Sequence, residues 1–148
     1  MKTFNLFLFV LLITLSACNN DNNDGFAGPE GCEIKFTILG QEETSNPDVC
    51  LYVDNTINIG LIGSNSIQLQ VNELSEPTMV TLPSTLGVIL VDLEDGRRLA
   101  MESGTIEITK ISESSAEGVF SGQMRDIADI DLSEPTIALS NGTFRANF

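Results

Sequence analysis

A chain of 148 residues can enclose one hydrophobic core but not two full domains. Its 21 acidic and 7 basic residues give a formal charge of −14, which turns away nucleic acid and anionic headgroups and is most often a solubility feature. Histidine and tryptophan are absent, so the commonest general base, the commonest transition-metal ligand and the largest sugar-stacking platform are all missing.

The first residues, Met1-Lys2-Thr3, carry one positive side chain, and Phe4 to Leu15 is apolar apart from Asn5 and Thr14. That run is too short to span a bilayer as a helix, and its layout is that of an export signal. Leu15-Ser16-Ala17-Cys18 follows. This motif resembles the lipobox of bacterial lipoproteins, which implies removal of residues 1–17 as a signal peptide and attachment of a diacylglyceryl group to Cys18. Two or three acyl chains of the palmitate type on one cysteine hold firmly, whereas a single chain binds reversibly. The competing reading is a soluble exported protein with a stray cysteine. Loss of Lys2 with the leader takes the formal charge to −15.

Residues 18–31, CNNDNNDGFAGPEG, hold only Phe26 and Ala27 as apolar side chains after the cysteine. Such a segment buries too little surface to offset ordering its backbone and reads as a flexible tether to a domain spanning 32–148. From there the hydrophobic period is two. Ile34, Phe36 and Ile38 alternate with polar residues, as do Ile67, Leu69 and Val71, then Phe120 and Met124, then Phe144, Ala146 and Phe148. Each is the pattern of a half-buried strand. Val88-Ile89-Leu90-Val91 is continuously apolar and predicts a strand that is central or covered on both faces. With no helical period longer than two turns, about ten short strands predict an all-β antiparallel sandwich or barrel-like domain.

Turn chemistry divides these strands. Asp95-Gly96 predicts a type I′ hairpin with Glu94 opposite Arg97, and Gly63-Ser64-Asn65 separates two further strands. Asn141-Gly142 fits either a hairpin or a bulge in one long final strand. The pentapeptide Leu-Ser-Glu-Pro-Thr occurs at 74–78 and again at 132–136, and predicts Pro77 and Pro135 at first strand positions. Cys32 and Cys50 flank strands in a chain bound for an oxidising compartment. A disulfide between them would contribute about 3 kcal/mol on the chain-entropy model, and two buried free thiols are the other reading.

Candidates for chemistry are few. A Ser–Lys dyad would need Lys35 or Lys110, and both fall on polar faces of alternating segments. The best cation candidate is Asp126, Asp129, Asp131 and Glu134, whose carboxylates suit calcium or a carboxylate-based enzyme. Their spacing is not that of a helical calcium loop, and no glycine permits the tight wrap. Ile127, Ile130 and Leu132 between them predict a loop packing its own apolar side chains. The expectation is therefore no cofactor and no catalysis.

The segments SGTIEITKI from Ser103, EGVFSGQM from Glu117 and IALSNGTFRANF from Ile137 set a cadence of Gly-Thr-strand, Gly-aromatic-Ser-Gly and Asn-Gly-x-Phe. It is similar to the C-terminal signature of small lipoproteins of unknown function common in the Bacteroidota. The resemblance implies an outer-membrane lipoprotein and carries no catalytic residues. Asp21 and Asp24 partly resemble the acidic signal that directs such proteins to the cell surface, which leaves the surface and the periplasmic face both open. The function expected is a non-enzymatic binding or accessory module that meets an envelope or extracellular protein. The alternative is a protective inhibitor of a cationic hydrolase such as lysozyme.

Overall fold

The computed structural model describes residues 31–60 and 66–148. The leader, Cys18, nearly all of the tether and the Gly63-Ser64-Asn65 turn lie outside the described residues. Ten strands follow in order: β1 (Glu33–Ile38), β2 (Gln41–Ser45), β3 (Val49–Val53), β4 (Thr56–Gly60), β5 (Ile67–Val71), β6 (Thr78–Leu82), β7 (Gly87–Asp92), β8 (Arg98–Ser112), β9 (Ser115–Asp126) and β10 (Ile137–Asn147). They form one antiparallel sheet in the order β2-β1-β10-β9-β8-β7-β5-β4-β3, with β6 also on β8. Between sandwich and barrel, the outcome is a curled half-barrel sheet.

The curl follows from where the long strands bend. Strand β8 pairs with β7 through Ala100 and Arg98, then with β6 from Gly104 to Ile108. Its register against β9 shifts between Met101 and Ser103, at the point where its other partner changes. A bulge there bends the strand and steepens its twist. The β1 and β10 side of the sheet is then tied to the far edge at one end. Cys32, just before β1, is disulfide-bonded to Cys50 on the opposite edge strand β3. Tyr52 of β3 stacks on Phe148 beyond β10, with ring centroids 5.5 Å apart.

Alternation sorts the side chains as half-buried strands require. Ile34, Phe36, Ile38, Ile67, Leu69, Val71, Phe120, Met124, Phe144 and Ala146 all enter one core with Ile57, Ile59, Ile106 and Leu139. Phe148 instead lies partly exposed at the rim. The 88–91 run meets one half of its expectation, because β7 is an interior strand between β8 and β5, but only Ile89 and Val91 are buried. Val88 is exposed and Leu90 half-buried on the outer face. The run is apolar on both faces, but the sheet is covered on one.

Three turns also differ. Leu93, not Glu94, lies across from Arg97, since the Leu93 N–H donates to the Arg97 carbonyl at 2.8 Å. Gly96 has φ +88° while Asp95 keeps a negative φ, so the type I′ turn is replaced by a three-residue loop. The Asp95 carboxylate favours that geometry by accepting the Arg97 backbone N–H at 3.0 Å. Type I′ geometry appears instead at Leu39-Gly40 and Asp54-Asn55, where both central residues have positive φ. Asn141-Gly142 resolves to the bulge. Strand β10 is continuous, and its register against β9 shifts between Leu139 and Gly142. A side chain at Gly142 would place its Cβ 2.3 Å from Phe120. Pro77 and Pro135 stand just ahead of β6 and β10 rather than in their first positions.

Candidate functional site

The connection from β9 to β10 is held by a network of side-chain hydrogen bonds. It begins where Asp126 Oδ1 accepts the Ala128 N–H at 2.8 Å and the Ile127 N–H donates to the Arg98 carbonyl at 3.0 Å. The Asp129 carboxylate then organises the rest of the loop. Its Oδ1 accepts both the backbone N–H and the hydroxyl of Ser133, each at 3.0 Å. Its Oδ2 accepts the Glu134 N–H at 3.0 Å and Arg125 Nη1 at 3.2 Å. Arg125 completes the brace by donating to the Glu134 carbonyl at 2.8 Å and, through Nε, to Glu102 of β8 at 2.8 Å.

The Asp129 side chain is only 7% exposed, so its charge faces the loop rather than solvent. Backbone N–H groups of Ser133 and Glu134, more than Arg125, hold its carboxyl below the ordinary carboxylate range. Hydrogen bonds to Glu102 and, secondarily, Asp129 raise the Arg125 guanidinium above its usual value.

What this brace presents is aliphatic. Ile127 is 56% exposed, Ile130 87% and Leu132 65%. The expectation that these residues pack among themselves is not met, because polar groups hold the loop from inside and displace the hydrocarbon outward. Leu132 even has φ +53°, an uncommon conformation for a residue with a side chain, while its N–H donates to the Asp129 carbonyl at 3.2 Å. Three large aliphatic side chains thus stand open to water on one ordered loop, and apolar surface marks interaction sites where it gathers rather than where it is scattered singly.

The four acids proposed for a cation are distributed otherwise. Asp126 and Asp129 accept hydrogen bonds within the loop, while Asp131 and Glu134 are exposed. Among the described residues no group of three or more His, Cys, Asp or Glu side chains could hold a metal ion. Lys35 and Lys110 pair with Glu33 and Glu117, each at 2.9 Å, on the outer surface.

The neighbouring hairpin shares the acidic character of this end. Asp92 accepts both Arg98 Nε and Nη2, and also the hydroxyl of the buried Ser66 at 3.0 Å. The Arg98 bonds are the main reason its carboxyl stays ionised to lower pH than usual. Arg97 pairs with Asp95 at 2.8 Å and lies within the fields of Asp126 and Glu134. Residues 92–98 and 125–134 together hold seven carboxylates against three guanidiniums.

A second apolar surface lies on the outer face of β3, β4, β5 and β7. There Val49, Val88 and Leu90 border an open depression of 270 Å³, together with Gln68 and Gln70. Leu51 and Val53 of edge strand β3 continue outward, 52% and 56% exposed.

The sequence offered Asp129 as a cation ligand, whereas the structure shows its carboxylate organising the loop, and Arg125 was not singled out. Their spacing of four residues, followed by Ser133-Glu134, was the available signal for a carboxylate-centred loop. Searches against protein-family models, curated proteins and solved structures return no match for this chain.

Proposed function

We propose that this protein is a lipid-anchored, non-enzymatic binding module of the bacterial outer membrane, held through Cys18 and engaging an envelope or extracellular protein. The lipobox resemblance and the lipoprotein-like C-terminal cadence support the anchor and its location. The observation that carries the binding reading is the orientation of chemistry on the described domain. Asp129, Arg125 and Asp92 serve internal hydrogen bonds, while Ile127, Ile130, Leu132, Leu51 and Val53 are turned to solvent. Catalysis needs convergent polar groups in a cleft, and recognition needs accessible apolar anchors with polar surroundings. The second pattern fits this surface better.

The anchor is tested by metabolic labelling with an alkynyl palmitate analogue and by membrane fractionation. Wild type should carry label and sediment with the outer membrane, and Cys18→Ser should lose the label and appear in the soluble fraction. Label that persists in Cys18→Ser would sink the reading. External protease on intact cells then distinguishes the surface from the periplasmic face.

Protection against a cationic hydrolase such as lysozyme is the second reading, favoured by the carboxylate excess around the braced loop. It requires capture of lysozyme that survives raised salt, since attraction by charge alone is screened.

A further inference from the structure

Resting on the binding-module reading, we propose that the braced 126–134 loop is the docking element, and that its occupant is a protein with an apolar pocket rimmed by lysine or arginine. The loop meets both requirements of an anchor. Ile130 and Leu132 offer hydrocarbon that water covers in the free protein, so their burial against a partner gains free energy in proportion to the area removed from water. The Asp129–Arg125 brace has already ordered the backbone that carries them, so binding does not have to supply that entropy.

Charge selects among the occupants. Around the aliphatic tip, residues 92–98 and 125–134 set seven carboxylates against Arg97, Arg98 and Arg125, which are committed to Asp95, to Asp92, and to Glu102 and Asp129. An anionic bilayer surface is repelled by such a rim. A second copy docking symmetrically would set the same acids against each other. A cationic rim around an apolar pocket satisfies both parts of the surface, with the charges accelerating encounter and the aliphatics holding the complex.

The test places photoreactive benzoylphenylalanine at position 130 of the full chain, in the cells that make it, with parallel chains carrying it at Leu51 and at Met79, which is 58% exposed on β6. Irradiation at position 130 should give one discrete adduct, whose crosslinked peptide maps to an apolar pocket bordered by Lys or Arg on the partner. With that partner purified, Ile130→Ser and Leu132→Ser should each raise Kd about tenfold or more while the thermal midpoint of the domain stays unchanged. Added salt should slow association more than it speeds dissociation. Adducts to lipid, to a second copy or to a partner surface without cations overturn the proposal, as does a Kd indifferent to Ile130→Ser. A discrete adduct at Leu51 or Met79 but not at position 130 also overturns it and leaves the binding-module reading standing. Absence of a discrete adduct at all three positions overturns both.

Discussion

The pentapeptide Leu-Ser-Glu-Pro-Thr appears twice and is used in opposite ways. At 74–78 its leucine is 1% exposed, with its N–H donating to the Asn55 carbonyl at 2.8 Å and its carbonyl accepting the Tyr52 hydroxyl at 2.9 Å. At 132–136 the same leucine is 65% exposed. The difference lies in what precedes each copy. Three residues before Leu74 stands Val71, the buried end of β5, after which Leu74 returns its side chain to the core. Three residues before Leu132 stands Asp129, whose carboxylate gathers the Ser133 and Glu134 N–H groups and leaves the leucine outside. Local sequence sets the shape of a short loop, and the neighbouring residues set the side of the surface on which it lies.

The largest effect that could break this contrast is a pair of identical truncations. Leu74→Ala should cost about 2–5 kcal/mol, as for a fully buried leucine, while Leu132→Ala should stay within about 0.5 kcal/mol. Urea midpoints measured side by side decide it, and equal losses would refute the opposition drawn between the copies.

Loss of the Cys32–Cys50 bond comes next. Because Cys50 shares β3 with Tyr52, replacing both cysteines by serine should cost about 3 kcal/mol and loosen the first copy specifically. Hydrogen exchange should quicken at the Leu74 amide and remain unchanged at Ser133 and Glu134. Uniform acceleration would show that the disulfide acts on the whole domain instead.

Tyr52→Phe is smaller, about 0.5–1.5 kcal/mol, since it removes one hydroxyl bonded to the Leu74 carbonyl and to Asn55. Denaturation by urea again measures it, and no loss would show that water replaces the hydroxyl without cost.

The subtlest prediction concerns pH and the second copy. The Asp129 carboxyl is depressed in the folded protein, so its bonds are intact above the ordinary aspartate value of about 3.9. They weaken as pH falls below that value toward the folded one, and this contribution is lost once the group is protonated in both states. Exchange at Ser133 and Glu134, corrected for intrinsic rate, should therefore accelerate on acidification through this window while Leu74 is spared. Asp129→Asn should give a similar acceleration at neutral pH, on the order of tenfold, because the amide presents one acceptor where two oxygens served. Unchanged exchange in Asp129→Asn would remove the carboxylate from its organising role.

Legibility in the sequence followed the strength of the burial signal. Strands with one face in the core announced themselves by alternation, since every second side chain had to be apolar. Strand β2, Gln41–Ser45, was invisible because its polar residues meet the sheet edge through backbone bonds alone. The 88–91 run marked an interior strand but not its cover, because apolar residues on an uncovered face look the same as apolar residues on a covered one. Turns were only partly legible: Leu39-Gly40 and Asp54-Asn55 were not singled out, and Asp95 chooses between geometries through its own side chain.

By itself, the sequence determined an all-β chain, its acidic surface and the half-buried strands, because charge is compositional and a period of two is local. Only tertiary structure decided that the sheet curls into a half-barrel, that β3 closes onto Cys32 and Phe148, and that Ile130 and Leu132 face water. Those outcomes depend on contacts between residues far apart in the chain, such as Arg125 with Glu102 and Tyr52 with Phe148. No window of local pattern contains both partners.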